Sequence, residues 1–276
     1  RGSSFKGGGR VVKNVAGYDF CKLLTGSLGT LGIITELTLK LKPIPDSFAI
    51  AVCSPTDLAH AEQLLAALVH SDTTPCAVEL LAGPTWTSNE QLAHESSAAN
   101  GLFLAVAVEG TEPEVTWMTQ QLGREWRHEG VQTHKIVADQ AAQDLFASMT
   151  EFPSCDESPL VLRASMVPSG TTRFFEALQS LDANCSIQAH AGSGIVIARM
   201  SEFPSAGLAR TLVGKLQPVA ASAHGNVVVL SNPSRSEMTH QSVWGAVDAP
   251  FDLMTSVKRE FDPHNILNPG RYVYLS

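Results

Sequence analysis

Residues 17–43 read GYDFCKLLTGSLGTLGIITELTLKLKP, and this stretch decides how the first part of the chain folds. Tyr18, Cys21 and Leu24 stand at helical spacing, which predicts a short helix within residues 17–25. The run GIITELTLKLK at 32–42 is rich in β-branched residues and predicts a strand. The prolines that follow in KPIPDS end this strand, because proline cannot continue a central strand, and they predict a domain boundary after residue 45.

Three glycines, Gly26, Gly29 and Gly32, separate the predicted helix from the predicted strand. One interpretation is a cofactor cradle, since glycine removes the Cβ atoms that would keep a flat ligand away from backbone N–H and C=O groups. The other is structural: Gly26 caps the helix and the next glycines bend the chain into the strand. The glycine spacing alone favours the bend.

Spacing excludes the two commonest nucleotide loops and one nucleophile motif. Neither GGGRVVKN nor GSLGTLGI contains the Gly-Lys-Ser/Thr triplet of a P-loop. GGGRVV and GSGIVI lack the third glycine of the dinucleotide fingerprint. Ser193 is not in a nucleophile elbow, because Ala191 and Ile195 occupy the two positions that need glycine, so a hairpin turn is predicted there.

Composition narrows the function classes further. The chain has 276 residues and a net charge of −8, without a long basic run, which argues against nucleic acid as a partner. No apolar run reaches the roughly 20 residues of a membrane span. The five cysteines show no CxxC pair and the nine histidines no HExxH motif, so no zinc site is indicated and a reducing, cytoplasmic location is favoured.

Beyond residue 45, strands and helices alternate, which predicts an α+β domain with a sheet of roughly seven strands. The predicted strands cover 48–54, 76–82, 102–110, 131–138, 159–168, 186–192, 194–201 and 226–232. The predicted helices cover 55–71, 112–130, 139–149, 171–182 and 205–217, and a last helix ends at Phe261 before Asp262 and Pro263.

Two motifs at opposite ends of the chain carry a family resemblance. GGRVVKNVAGYD with KLLTGSLGTLGIITELTLKLKP resembles the second half of the PCMH-type FAD-binding domain of FAD-linked oxidases of the vanillyl-alcohol oxidase superfamily, with wording most like glycolate oxidase FAD-binding subunits. FDPHNILNPGR at 261–271 resembles the end of the same family's C-terminal domain. The intervening AVELLAG and QAHAGSGIV are similar to its substrate (cap) domain in order.

The resemblance implies an α+β fold of three parts: the C-terminal part of an FAD-binding domain at 1–45, an α/β cap domain with a mostly antiparallel sheet flanked by helices at 46–250, and a helix and tail returning to the FAD domain at 251–276. It implies FAD as the cofactor and no metal. The family's glycine-rich pyrophosphate turn is absent from these residues, so we expect this chain to supply about half of the flavin contacts and to bind FAD weakly or not at all by itself. The residues implied to line the cofactor are Lys13, Asn14, Tyr18, Asp19, Gly26, Ser27, Gly29, Thr30, Gly32, Ile33, Ile34, Asn268 and Arg271.

The activity implied by the resemblance is FAD-dependent oxidation of a small 2-hydroxy acid such as glycolate, with electrons passed to a partner. The implied partners are a second flavoprotein subunit and an iron-sulfur subunit of a glycolate oxidase complex, through which the chain would lie peripherally at the inner membrane. Two alternatives stay open: a non-catalytic partner subunit that keeps the fold for assembly, and a related flavoenzyme that acts on another alcohol.

Such chemistry needs a cation for the substrate carboxylate and a base for the hydroxyl proton. Residues in or beside the predicted strands of the cap sheet supply the catalytic candidates, and each also has a purely structural interpretation: Arg163, His190, Arg199 and, less directly, His224. Trp244 and Lys258 are further candidates, Trp244 by packing near the flavin.

Overall fold

The computed structural model describes residues 2–10, 17–92, 101–154, 158–245 and 251–271. The chain divides into two compact units. The first combines residues 1–43 with 247–276, and the second is the uninterrupted stretch 44–246.

Helices and strands alternate along most of the chain. The strands are β1 (Ser47–Cys53), β2 (Ala77–Ala82), β3 (Leu102–Gly110), β4 (His134–Ala138), β5 (Leu160–Ser165), β6 (Ser186–His190), β7 (Ile195–Met200) and β8 (Asn226–Ser231). The helices are α1 (Phe20–Leu24), α2 (Leu58–Leu68), α3 (Pro84–Thr87), α4 (Glu112–His128), α5 (Asp139–Glu151), α6 (Thr171–Leu181), α7 (Leu208–Thr211), α8 (Gln217–Ser222), α9 (His240–Trp244) and α10 (Phe251–Phe261).

The second unit is built on one sheet whose strands, within the described residues, lie in the order β4-β1-β3-β2-β6-β7-β5-β8. Every neighbouring pair is antiparallel, as the resemblance implied. The predicted hairpin joins β6 to β7, with His190 opposite Ile195. Gly194 at the turn has φ +69°, and a Cβ there would collide with the Met166 carbonyl oxygen, so the turn requires glycine.

The two faces of this sheet are covered differently. Alternate residues of all the central strands form a large apolar cluster on one face, where α2, α4 and α6 contribute Leu64, Trp126 and Phe174. The opposite face has a smaller cluster in which α3 and α5 contribute Trp86 and Leu145. On that second face, β2, β6 and β5 carry polar side chains beside the apolar cluster.

In the first unit, α1 and α10 share an aromatic contact: the Phe20 and Phe261 rings lie 6.4 Å apart, edge to face, and Phe5 packs 5.2 Å from Phe20. The predicted strand at 32–42 was wrong for this structure. These residues form no strand, because no neighbouring backbone within the described residues pairs with them, and their apolar side chains from Ile33 to Leu41 are exposed.

Smaller differences from the sequence prediction have local causes. The sheet has eight described strands, each overlapping one of the eight predicted ranges, so the expected total of roughly seven was one too low. The helix predicted to end at residue 217 continues to Ser222, because a π turn over Leu212–Leu216 lets the chain pass Pro218, which has no N–H to donate. None of the described helices has both the length and the apolar character of a membrane span.

Candidate functional site

The three-glycine segment of the first unit is a tight turn that follows α1. Asp19 caps the helix by accepting a hydrogen bond from the Lys22 N–H at 3.0 Å. After the helix, Gly26, Leu28 and Gly29 have φ of +78°, +54° and +69°, so three of four successive residues are left-handed. The glycines therefore do have the structural role considered above: they permit a turn in which most residues would be strained.

A buried lysine holds this turn from the other segment of the same unit. Lys258, on α10, is only 2% exposed, and its Nζ donates to the Thr30 carbonyl oxygen at 2.8 Å. The same Nζ donates to Asp262 Oδ2 at 2.6 Å and to the Leu267 carbonyl oxygen at 3.2 Å. All three ammonium donors are thus used, which is the condition under which a buried lysine is tolerated.

Asp262 organises the tail that follows α10. Besides Lys258, its carboxylate accepts the backbone N–H groups of Ile266 and Leu267 at 3.1 and 2.8 Å. Burial raises the pKa of Asp262, but the hydrogen bonds from Lys258, Leu267 and Ile266 outweigh it and lower the pKa to about 2. The carboxylate therefore stays ionised and keeps the tail folded back on the glycine turn.

The turn and the tail together line a pocket of about 410 Å³, within the range of roughly 300–1,000 Å³ typical of small-molecule sites. Its floor is backbone and small side chains, and its sides are apolar: Ile33 is 80% and Ile34 57% exposed. The residues that line it are Leu24, Ser27, Gly29, Gly32, Ile33, Ile34, Ile266, Leu267 and Asn268.

This pocket fits part of a flat, hydrogen-bonding cofactor such as a flavin. Among the described residues, a Cβ at Gly32 would meet nothing nearer than Leu24 Cδ2 at 3.9 Å, so none of these residues fills the space beside the glycine. Asn268 closes the pocket, and its Nδ2 donates to the Leu28 carbonyl oxygen at 2.7 Å. Exposed apolar side chains beside accessible backbone are the surface that an aromatic ring system would cover.

The predicted cofactor residues fall into three groups. Six line the pocket: Ser27, Gly29, Gly32, Ile33, Ile34 and Asn268. Gly26 and Thr30 shape the turn. Tyr18, Asp19 and Arg271 are not among the residues that line the pocket, and Tyr18 is 88% exposed. Lys13 and Asn14 lie outside the described residues.

A second polar group lies on one face of the sheet in the second unit. Glu79 on β2 stands directly opposite His190 on β6, and its Oε1 is 2.7 Å from His190 Nδ1. Its Oε2 accepts a hydrogen bond of 3.2 Å from Gln188 Nε2. The hydrogen bond that His190 donates to Glu79 raises the pKa of His190 above its ordinary value, although burial and the charge of Arg163 oppose this.

The strand register places the three predicted catalytic residues, Arg163, His190 and Arg199, on that same face. Arg163 on β5 and Gln188 on β6 both pair with Ile197 of β7, so their side chains share the face with His190. We name the group formed by Glu79, Arg163, Gln188 and His190 the sheet-face cluster.

Arg163 and Arg199 differ in their surroundings. The Arg163 guanidinium is exposed and has no hydrogen bond or ion pair within the part of the chain that the structure describes. Arg199 donates from Nε to Ser158 Oγ at 3.1 Å and lies over the Phe152 ring, 5.2 Å from its centroid. Arg163 is therefore the more available cation for an anionic ligand.

The remaining candidates have structural contacts. His224 is in a left-handed turn after α8, with φ +54°. Trp244 ends α9, where its carbonyl oxygen accepts a hydrogen bond from Asn226. Among the described residues, no group of three potential metal-ligating side chains comes together.

Sequence reasoning missed several residues of both sites. Glu79 could have been noticed, since a carboxylate inside the apolar run CAVELLA must find a partner when the strand is buried. The Lys258–Asp262 pair stands at the i, i+4 spacing of helical ion pairs. The pocket residues Leu24, Ile266 and Leu267 carry no such signal, because apolar side chains beside a turn are common.

Comparison with known proteins bears on the family and on the cofactor. Residues 246–272 match the family description "FAD linked oxidases, C-terminal domain". The chain is related to the FAD-linked oxidases. FAD is the cofactor that this relationship indicates, in agreement with the resemblance of the two end motifs.

Three curated relatives show what the similarity covers. A mitochondrial "D-lactate dehydrogenase [cytochrome]" of Arabidopsis thaliana is 26% identical over 99% of this chain and 50% of the relative. "Glycolate oxidase subunit GlcD" of Bacillus subtilis is 27% identical over 98% of this chain and 60% of the relative. "Glycolate oxidase subunit GlcE" of Escherichia coli is 50% identical, but over 44 residues, which are 16% of this chain and 13% of the relative.

The chain spans about half the length of the D-lactate dehydrogenase that it matches. Its long alignments are to D-lactate dehydrogenase and the GlcD subunit rather than to the GlcE subunit. Among solved structures, an alkyldihydroxyacetonephosphate synthase superposes with a TM-score of 0.53 at 14% identity, over 94% of this chain and 50% of that one. This likeness confirms the α+β fold with its antiparallel sheet.

Proposed function

We propose that the chain is part of an FAD-dependent oxidoreductase that oxidises a small 2-hydroxy acid, glycolate or D-lactate. The observation that carries the proposal is the sheet-face cluster. There an exposed Arg163, without a hydrogen bond or ion pair among the described residues, stands on the same face as a histidine whose pKa is raised by a buried carboxylate. Relatives named for lactate and glycolate support the substrate class.

The first unit supplies cofactor contacts in this proposal. Gly29, Gly32 and Asn268 offer backbone and amide groups, and Ile33 and Ile34 offer an apolar wall. When bound, the flavin of such an enzyme accepts a hydride from the substrate carbon. Lys258 does not touch the ligand in this proposal; it holds the Thr30 carbonyl and the tail in the positions that form the pocket.

The second unit supplies the groups that act on the substrate. Arg163 binds the carboxylate, because a guanidinium offers paired donors that match its two oxygens. His190 takes up the hydroxyl proton, and its side chain is one-third exposed (33%), so a small acid can reach it. Arg199, engaged with Ser158 and Phe152, stays a predicted catalytic residue with less support.

The test replaces the proposed carboxylate anchor in the full-length, flavin-containing protein. Arg163→Met should raise the KM for glycolate and D-lactate about 10- to 100-fold, since a charge-assisted hydrogen bond is worth about 1.5–3 kcal/mol. Arg173→Met, which removes an exposed arginine of α6, is the matched control and should leave the KM unchanged. Equal KM values for Arg163→Met and the unsubstituted protein would contradict the proposal.

A second candidate is a non-catalytic subunit that assembles with a second flavoprotein and an iron-sulfur subunit. It is favoured by the 50% identity, over 44 residues of this chain, to a protein named as a glycolate oxidase subunit. Anaerobic addition of glycolate or D-lactate distinguishes the two: bleaching of the flavin in the isolated protein supports the catalytic subunit, and bleaching in the assembled complex alone supports the partner subunit.

A further inference from the structure

Glu79 is a carboxylate to which the proposed reaction assigns no role of its own. It is 6% exposed and lies on a strand whose other residues from Leu80 to Ala82 are buried and apolar. Burying an unpaired carboxylate is costly, so its two partners matter. Those partners within the described residues are His190 and Gln188, and neither is a permanent cation.

The geometry fixes which proton His190 carries. A carboxylate can only accept, so the 2.7 Å contact requires a proton on His190 Nδ1. In the neutral imidazole the other nitrogen, Nε2, is then the acceptor. No partner of Nε2 is found in the described part of the chain, and the ring is partly exposed. The tautomer held by Glu79 is therefore the one that presents a basic nitrogen to solvent or to a ligand.

Gln188 holds the other side of the carboxylate. Its amide is fully buried and donates from Nε2 to Glu79 Oε2, which leaves Gln188 Oε1 buried without a partner in the described residues. The reverse amide orientation would bring two oxygens together, so the donation is the only one that the pair permits. Gln188 Oε1 thus stays without a hydrogen bond while Gln188 Nε2 bonds Glu79. This indicates that Gln188 fixes the position of the Glu79 carboxylate.

We propose that Glu79 is the positioning residue of His190: it fixes the Nδ1–H tautomer and leaves Nε2 to accept the hydroxyl proton of a 2-hydroxy acid. This rests on the proposed function. In this step the substrate O–H bond would break and its proton would go to Nε2. The C–H bond would break with its electron pair leaving as hydride to FAD, the oxidant, when it is bound, and the C–O bond would become a carbonyl.

The charged groups that act on His190 come from two strands on either side of β6: β2, which pairs with it, and β5, which lies beyond β7. Glu79 on β2 raises its pKa, and Arg163 on β5 lowers it. The directly opposed residue of β7, Ile195, carries no charge. Removing the charge of Glu79 should therefore lower the pKa of His190, and the acidic limb of a pH–rate profile that depends on neutral His190 should move to lower pH.

The experiment measures the histidine itself and the rate in the same full-length, flavin-containing protein. Histidine side-chain nitrogen NMR should find His190 as the Nδ1–H tautomer at high pH, with a pKa above its ordinary value. Glu79→Gln should lower that pKa, move the acidic limb of kcat to lower pH and reduce the plateau about tenfold or more. Glu62→Gln, an exposed carboxylate on α2, is the matched control and should change neither.

Two outcomes would overturn the inference in distinguishable ways. An Nε2–H tautomer in the unsubstituted protein refutes the positioning role without need of any variant, so the test survives if Glu79→Gln does not fold. A lowered His190 pKa with an unmoved pH–rate limb would instead show that His190 is not the base, and then the proposed function fails at that residue.

Discussion

Substituting the two pocket glycines should separate the stability of the first unit from its ability to bind flavin. Gly29 has φ +69°, and an L-residue in this region costs about 1–2 kcal/mol. An added Cβ would also lie 2.8 Å from Asn268 Nδ2, so that amide must move and its hydrogen bond to Leu28 weakens, at about 1 kcal/mol. We expect Gly29→Ala to lower the free energy of unfolding by about 2–3 kcal/mol.

Gly32 has neither constraint. Its φ is not left-handed, and the nearest atom to an added Cβ is 3.9 Å away, so Gly32→Ala should change the free energy of unfolding by no more than about 0.5 kcal/mol. Gly32→Val places two further methyl groups in the pocket that the residue lines. It should weaken FAD binding at least tenfold, which is about 1.4 kcal/mol.

Urea denaturation compares Gly29→Ala with Gly32→Ala, and quenching of flavin fluorescence gives the affinity of Gly32→Val in the full-length protein. Equal free energies of unfolding for Gly29→Ala and Gly32→Ala would refute the claim that the turn requires glycine at position 29. An FAD affinity of Gly32→Val equal to that of the unsubstituted protein would refute the pocket as a flavin site.

Three further predictions concern stability alone. The pKa of Asp262 is about 2 in the folded protein, below its unfolded value, so its stabilisation is complete above about pH 4 and is lost as the pH falls toward 2. In urea denaturation, the loss of unfolding free energy caused by Asp262→Asn should therefore shrink as the pH falls over that range. A loss that stays constant with pH would contradict this prediction. Thr111→Ala removes the hydroxyl that donates to Glu114 at the start of α4 and should cost about 1 kcal/mol, checked by urea midpoint against Thr116→Ala, an exposed threonine on the same helix. Gly194→Ala should destabilise the second unit by about 2–4 kcal/mol, because its Cβ would meet the Met166 carbonyl, whereas Gly192→Ala has open space and should be near neutral in the same assay.

The alternating elements of the second unit could be predicted from sequence because each signal is local. The hairpin around Ser193 follows from flanking β-branched runs and two glycines, and α4 follows from its capping threonine and proline. The order of strands in the sheet could not be predicted, because β2 pairs with β6, and β5 lies between β7 and β8, through contacts that no local pattern encodes.

The sequence predicted which types of residue form the candidate sites, but it predicted only part of how those residues are arranged in space. The glycine segment was recognised by its resemblance, since its spacing alone favours a bend. The strand expected at 32–42 failed because alternation describes side chains, whereas a strand also needs a neighbouring backbone to bond. His190 and Arg163 were candidates for their chemistry, but the role of Glu79 became visible only when the register set it opposite His190.

The hydrogen bond from Lys258 to Thr30 joins residues 228 positions apart in sequence. Because the second unit is an uninterrupted stretch inserted between the two segments of the first, a ribosome completes residues 44–246 before Lys258 exists. The sheet can therefore fold during synthesis, while the glycine turn must wait for translation of α10. The order of synthesis therefore allows the sheet of the second unit to form before the glycine turn and the tail can come together to line their pocket.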